Sequence, residues 1–250
     1  MEGLAELHTH LGGSVSSDIL WSLAHEQGIA LPVKDYWEFD RLVTVSDPRG
    51  VANLDALDQI YHWTELIQSS PLAVERSVHA AIGGAYRSQH ITTLELRFNP
   101  MKRNRGGERD LDHIILAAIR GLDRASLEYP QVTAGLILMM DRTFTARQNE
   151  VIVEKAAGWA SRGIVGIDIA GPRPGGGRYD YGQVLLAGGF LLILSGSGEL
   201  ALVKANPERH EELARFQAIN GKTWNYPAIA HGRILVRNAV EMACFDLPSK

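Results

Sequence analysis

His8 and His10 stand two residues apart in the run Leu4-Ala5-Glu6-Leu7-His8-Thr9-His10-Leu11-Gly12-Gly13. Side chains of an extended strand repeat every second residue, so both imidazoles project to one side of the strand's end. Two imidazoles so placed are half of a zinc or iron site. The same spacing also fits a solvated pair near the start of the chain, because His-x-His is short enough to arise by chance. Other apolar runs close on polar or turn-forming residues too: Arg97 and Asn99, Asp141, Gly171, Glu199 and His231.

The elements that must carry these groups alternate in type. Leu94, Leu96 and Phe98 interleave with Glu95 and Arg97 ahead of Pro100, which predicts a strand with one apolar and one charged face. Glu95 and Arg97 could pair with each other on that face. Residues 134–140 are an almost unbroken apolar run, suited to a strand buried on both faces of a parallel sheet. Residues 164–171, 190–194 and 227–232 read as further strands. Helical spacing fills 54–67, 72–86, 114–122 and 146–161, and further helices are expected at 207–219 and 234–245. A loop is expected at 172–177. Six strands, each followed by a helix, predict one parallel α/β domain over 1–250. Its chemistry would sit at the carboxyl ends of the strands.

Composition removes several alternatives. The 250 residues are 45% hydrophobic, enough for a substantial core, and the net charge of −4 favours neither nucleic acid nor an anionic membrane. The local basic run Met101-Lys102-Arg103-Asn104-Arg105, with Arg109, reads as a solvated loop. Cys244 is the single cysteine, which excludes an intramolecular disulfide and suits a reducing cytoplasm. No apolar run approaches the ~20 residues that span a bilayer, so no membrane partner is expected. There is no Walker A pattern, no strand followed by Gly-x-Gly-x-x-Gly, and no Gly-x-Ser-x-Gly elbow.

Four blocks carry a resemblance to a known family. Met1 to Ser14, Leu94-Glu95-Leu96-Arg97-Phe98-Asn99-Pro100 and Gly166-Ile167-Asp168-Ile169-Ala170-Gly171-Pro172 resemble, in order, motifs of the adenosine deaminase family of metal-dependent amidohydrolases. The segment Leu235 to Ala243 is similar to that family's last helix. The resemblance implies a (β/α)8 barrel of the TIM type that hydrolyses the exocyclic amine of a purine-like small molecule and releases ammonia. It implies one Zn2+, or another divalent ion, held by His8 and His10. Metal-bound water, its pKa lowered towards ~7, would supply the hydroxide. Gly171 would donate its backbone N–H to the purine. Glu199 would take the part of the proton donor and His231 that of the histidine that assists the water.

The resemblance weakens in the second half. The family's His-Ala-Gly-Glu motif has Gly196-Ser197-Gly198-Glu199 as its counterpart, without the third metal histidine, and the late Asp-Asp pair has no counterpart. Gly12 stands where adenosine-specific members often carry an acidic residue that meets the ribose, and it also fits a simple backbone turn. Three accounts remain open: a shortened relative with an incomplete site, a partial version of a longer enzyme, or a metal shell rebuilt from residues such as Asp141, Asp168, Asp180 or His210. The alternative to a deaminase is a catalytically silent relative that binds purine-like ligands or partners. An incomplete barrel would expose sheet edges and apolar surface, so association with another copy of the chain is expected.

Overall fold

The structure, a computed structural model, describes residues 3–45, 54–171, 182–206, 208–223 and 225–247, with the side chains of 54–59 set aside. Asp180 and the 172–177 loop fall outside the described residues. Cα packing divides the chain into two units, Met1–Pro174 and Gly175–Lys250, where the sequence predicts one domain.

The first unit is built on four parallel strands in the order β1-β2-β3-β4: β1 Leu4–His10, β2 Ile91–Phe98, β3 Thr133–Asp141 and β4 Ile164–Ala170. Helices α1 Ser17–Glu26, α2 Tyr36–Val43, α3 Leu54–Ile67 and α4 Pro71–Gln89 separate β1 from β2. Helix α5, Asp112–Glu128, leads to β3, and α6, Ala146–Gly158, leads to β4. The predicted alternation on β2 holds. Leu94, Leu96 and Phe98 are buried against the helices, which leaves Arg97 on the opposite face.

Local chemistry sets where the helices begin. Ser70 Oγ accepts the Ala73 N–H at 3.2 Å and Pro71 opens α4, where its missing N–H costs nothing. Thr145 and Gln148 form a reciprocal capping box at the start of α6. Helices α4 and α5 pack closely because position 121 is glycine; a Cβ there would collide with the Glu75 carbonyl oxygen. Val78 and Ile82 of α4 and Ile115, Ile119 and Leu122 of α5 belong to one core with the β2 residues.

The second unit departs from the predicted α/β rhythm. Its strands are β5 Gln183–Ala187, β6 Phe190–Leu194, β7 Glu199–Lys204 and β8 Glu212–Gln217, then β9 Ala228–Ala230, β10 Arg233–Arg237 and β11 Met242–Asp246. The first four form one antiparallel meander and the last three another. The helix expected at 207–219 is therefore an edge strand, and the one expected at 234–245 is a hairpin. Pairing with a neighbouring strand outweighs the helix preference of Glu212, Leu213, Ala214 and Arg215. A core separate from that of the first unit gathers Leu192, Leu194, Leu200 and Val236.

Candidate active site

The carboxyl ends of the four parallel strands bring polar groups into one row. His8 and His10 lie on β1 with ring centroids 5.6 Å apart and planes tilted by 59°. His10 pairs in register with Arg97 of the neighbouring strand. Burial, then the positive charges of Arg97 and His8, pushes His10 down to about 4, against the opposing pull of Asp168. Burial and Arg97 also lower His8. His10 is thus neutral at neutral pH and His8 is shifted the same way, the state in which a ring nitrogen keeps a lone pair for a metal or a proton.

Beside the imidazoles, buried Arg97 donates from Nη1 to Asp168 Oδ2 on β4. Buried Asn99 accepts the Lys102 N–H at 3.0 Å. Lys102 Nζ in turn lies 2.5 Å from Asp141 Oδ2. Asp141 Oδ1 accepts from the Thr143 N–H at 2.8 Å and its hydroxyl at 2.6 Å. Gly171 follows β4 at φ +87°, and a Cβ there would lie 2.5 Å from Asp141 Oδ1. The position therefore demands glycine for both its backbone angle and its space.

The loop read as solvated is not wholly so. Arg103 is only 1% exposed, with Nη2 3.8 Å from Glu65 Oε1, and burial lowers its guanidinium to about 10. It lies beneath Gly12, where an added Cβ would come within 3.2 Å of Arg103 Nη2 and 3.1 Å of the Tyr61 ring. The room an acidic residue would need at position 12 is filled by Tyr61. Arginines spaced along a Lys/Arg-rich loop give no sequence signal that one of them is interior.

The residues present supply half of a metal shell. A catalytic zinc takes three protein ligands. Among the described residues no group of three His, Cys, Asp or Glu side chains could hold an ion. Asp168, an obvious addition, is paired with Arg97. A complete resident metal does not fit the described residues, although the two imidazoles fit as part of one.

Glu199 and His231 lie in the second unit. Glu199 opens β7 with Oε2 3.6 Å from Arg215 Nη1. His231 occupies a left-handed turn position at φ +49°.

A family model described as adenosine deaminase matches residues 3–184, the span that holds His8, His10, Gly12, Arg97, Asp168 and Gly171. The chain belongs to the adenosine deaminase family. An adenosine deaminase of Vibrio vulnificus (strain CMCP6) is 28% identical over 176 residues, which are 70% of this chain and 52% of the relative. Among solved structures, an adenine deaminase from Arthrobacter aurescens superposes with a TM-score of 0.58 at 18% identity, over 70% of this chain and 50% of its own. An amidohydrolase from Burkholderia ambifaria, solved with bound Zn, gives 0.56 at 21%, over 69% and 45%. These likenesses carry the fold: the first unit is part of a TIM-type barrel, of which the described residues supply four strands. The chain spans about half the length of the curated relatives it matches, and the matched span ends before Glu199 and His231.

Proposed function

We propose that the barrel unit serves hydrolytic deamination of adenosine or a related aminopurine compound, with His8 and His10 as two ligands of a divalent metal, expected to be zinc. The observation that carries this reading is the pair of adjacent imidazoles, His10 neutral and His8 shifted the same way, at the strand end, within the family-matched span. A relative named adenosine deaminase, a structural neighbour named adenine deaminase and another holding Zn support it. This chain's own contribution is to hold the two imidazoles where burial and Arg97 lower their basicity, to fix Arg97 against Asp168 beside them, and to present the Gly171 backbone where a side chain would clash with Asp141.

A second reading has its own observation. With no third carboxylate, thiol or imidazole grouped with His8 and His10 among the described residues, the unit fits a relative that binds purine-like ligands without turning them over. Metal content after exhaustive dialysis, measured with turnover of adenosine, adenine and AMP by ultraviolet absorbance, separates the two. About one ion per chain, lost together with turnover in His8→Ala and His10→Ala, supports the deaminase. Absence of both metal and turnover in the unaltered protein leaves the binding reading.

A further inference from the structure

The second unit is one motif written twice. Ala187-Gly188-Gly189-Phe190 recurs 43 residues on as Ala230-His231-Gly232-Arg233, and Glu199-Leu200-Ala201 recurs 42 residues on as Glu241-Met242-Ala243. The backbone repeats with the sequence. Gly188 and Gly189 have φ of +57° and +81°, and His231 and Gly232 have +49° and +72°, so both are two-residue turns with both central residues left-handed. Strand register repeats as well. Leu192 faces Leu202 as Leu235 faces Cys244, Ile193 faces Ala201 as Val236 faces Ala243, and Leu185 faces Leu192 as Ala228 faces Leu235. The loops also agree. Ser195 Oγ accepts the Glu199 N–H as Asn238 Oδ1 accepts the Glu241 N–H.

The two copies stack in one sense. Leu185, Leu192, Leu200 and Leu202 share one face of the first sheet and pack on Ile234, Val236, Ala243 and Phe245, which share the opposite kind of face of the second. Phe216 meets Phe245 edge-on at 5.1 Å, and Asn238 Nδ2 donates to the Asn220 carbonyl at 2.7 Å across the same junction. The repeat then assigns the outer faces. Leu235, Met242 and Cys244 are the second copy's counterparts of Leu192, Leu200 and Leu202, and Met242 is 67% exposed. The first copy's counterparts of Ile234 and Val236 are Leu191 and Ile193, and beside them Val184 and Leu186 are exposed.

A four-stranded antiparallel meander recurring every 40–45 residues or so is the blade of a β-propeller. We infer that residues 182–247 are one whole blade and three strands of the next, and that the Leu235–Met242–Cys244 face docks the Val184–Leu186–Ile193 face of a second copy of this chain. The occupant follows from continuity: the two outer faces are the two halves of an interface the chain already makes internally. Such head-to-tail contacts either close into rings or run on as filaments.

The test uses the full chain, by sedimentation velocity across a concentration series and by cysteine cross-linking. Association to multiples of the chain mass is expected, with at least a tenfold weakening in Met242→Glu, whose exposed position tolerates a charge without unfolding. In Ile193→Cys, mild oxidation should link Cys244 of one chain to the new thiol of the next and give a ladder on a non-reducing gel. A monomer at every concentration overturns the inference. So does association unchanged in Met242→Glu, or efficient Cys244-to-Cys244 linkage in the unaltered chain, which would mean the faces meet like to like.

Discussion

Arg97 on β2 and Asp168 on β4 join past the intervening strand β3, guanidinium Nη1 to carboxylate Oδ2. The arginine is 3% exposed in its side chain and the aspartate 28%. Removing one member of a buried pair strands the other, whereas replacing both by apolar groups can be nearly neutral. Asp168→Ala is expected to cost about 3 kcal/mol in urea unfolding. The double variant Arg97→Met/Asp168→Leu should recover most of it. A double variant no better than the single would show that the pair is not what holds the strand ends together.

Gly171 allows a sharper test of the space beside Asp141. Gly171→Ala must adopt φ +87° and place a Cβ against the Asp141 carboxylate. A left-handed angle alone costs a side chain about 1–2 kcal/mol, and the overlap adds to it. A melting temperature unchanged in Gly171→Ala would contradict the geometry.

Acid stability should report on Asp141. Burial pushes its carboxyl up, but the hydrogen bonds from Lys102 and Thr143 outweigh burial and hold it below the usual carboxylate range. A depressed carboxylate stabilises the fold above its unfolded value, near pH 4, and the contribution is lost as pH falls through the lower folded value. Lys102→Met is expected to cost about 1–2 kcal/mol at neutral pH and to move the acid-unfolding midpoint upward. Circular dichroism followed from neutral pH down to strong acid reads both.

His231 separates a catalytic role from a turn-forming one. Its counterpart in the repeat is Gly188, and its φ of +49° is one that glycine adopts without strain. His231→Gly is expected to stabilise the second unit by about 1 kcal/mol and to leave any deaminase turnover unchanged. Loss of turnover in a folded His231→Gly protein would return the histidine to the reaction.

The two cores share no residue, one drawn from the first unit and one from the second. Differential scanning calorimetry should therefore resolve two transitions rather than one two-state unfolding. Met242→Glu should leave the larger one in place. A single cooperative peak would contradict the division.

The four parallel strands were legible because their apolar periodicity is strong, and β2 shows it plainly in Leu94, Leu96 and Phe98. That His8 and His10 project to one side of a strand was legible from spacing; that they are more than a solvated pair was not. Nor was the partner of Arg97. Glu95 stands nearer in sequence, but Asp168 reaches it only because β4 lies two strands away in the sheet. Composition describes a loop's average and not the one side chain that turns inward, as Arg103 does. The second unit departs from its sequence expectation for a physical reason. Glu211, Glu212, Leu213 and Ala214 favour helix locally, and the run from Ile234 to Phe245 resembles a family helix. The turn chemistry of His231-Gly232 and Asn238 decides for hairpins instead.

Among the described residues strand β4 is the last of its sheet, and Val165, Ile167 and Ile169 stand 56%, 49% and 42% exposed along it. Short β-branched runs with one charge and no proline are the kind of segment that stacks in register with its own copies, and an edge that carries one offers them a template. The first unit therefore has a built-in colloidal hazard. Warmed or concentrated, it should be lost from solution through Ile164 to Ala170 before its helices melt, and a lysine at Ile167 would act as a gatekeeper that keeps the protein dispersed.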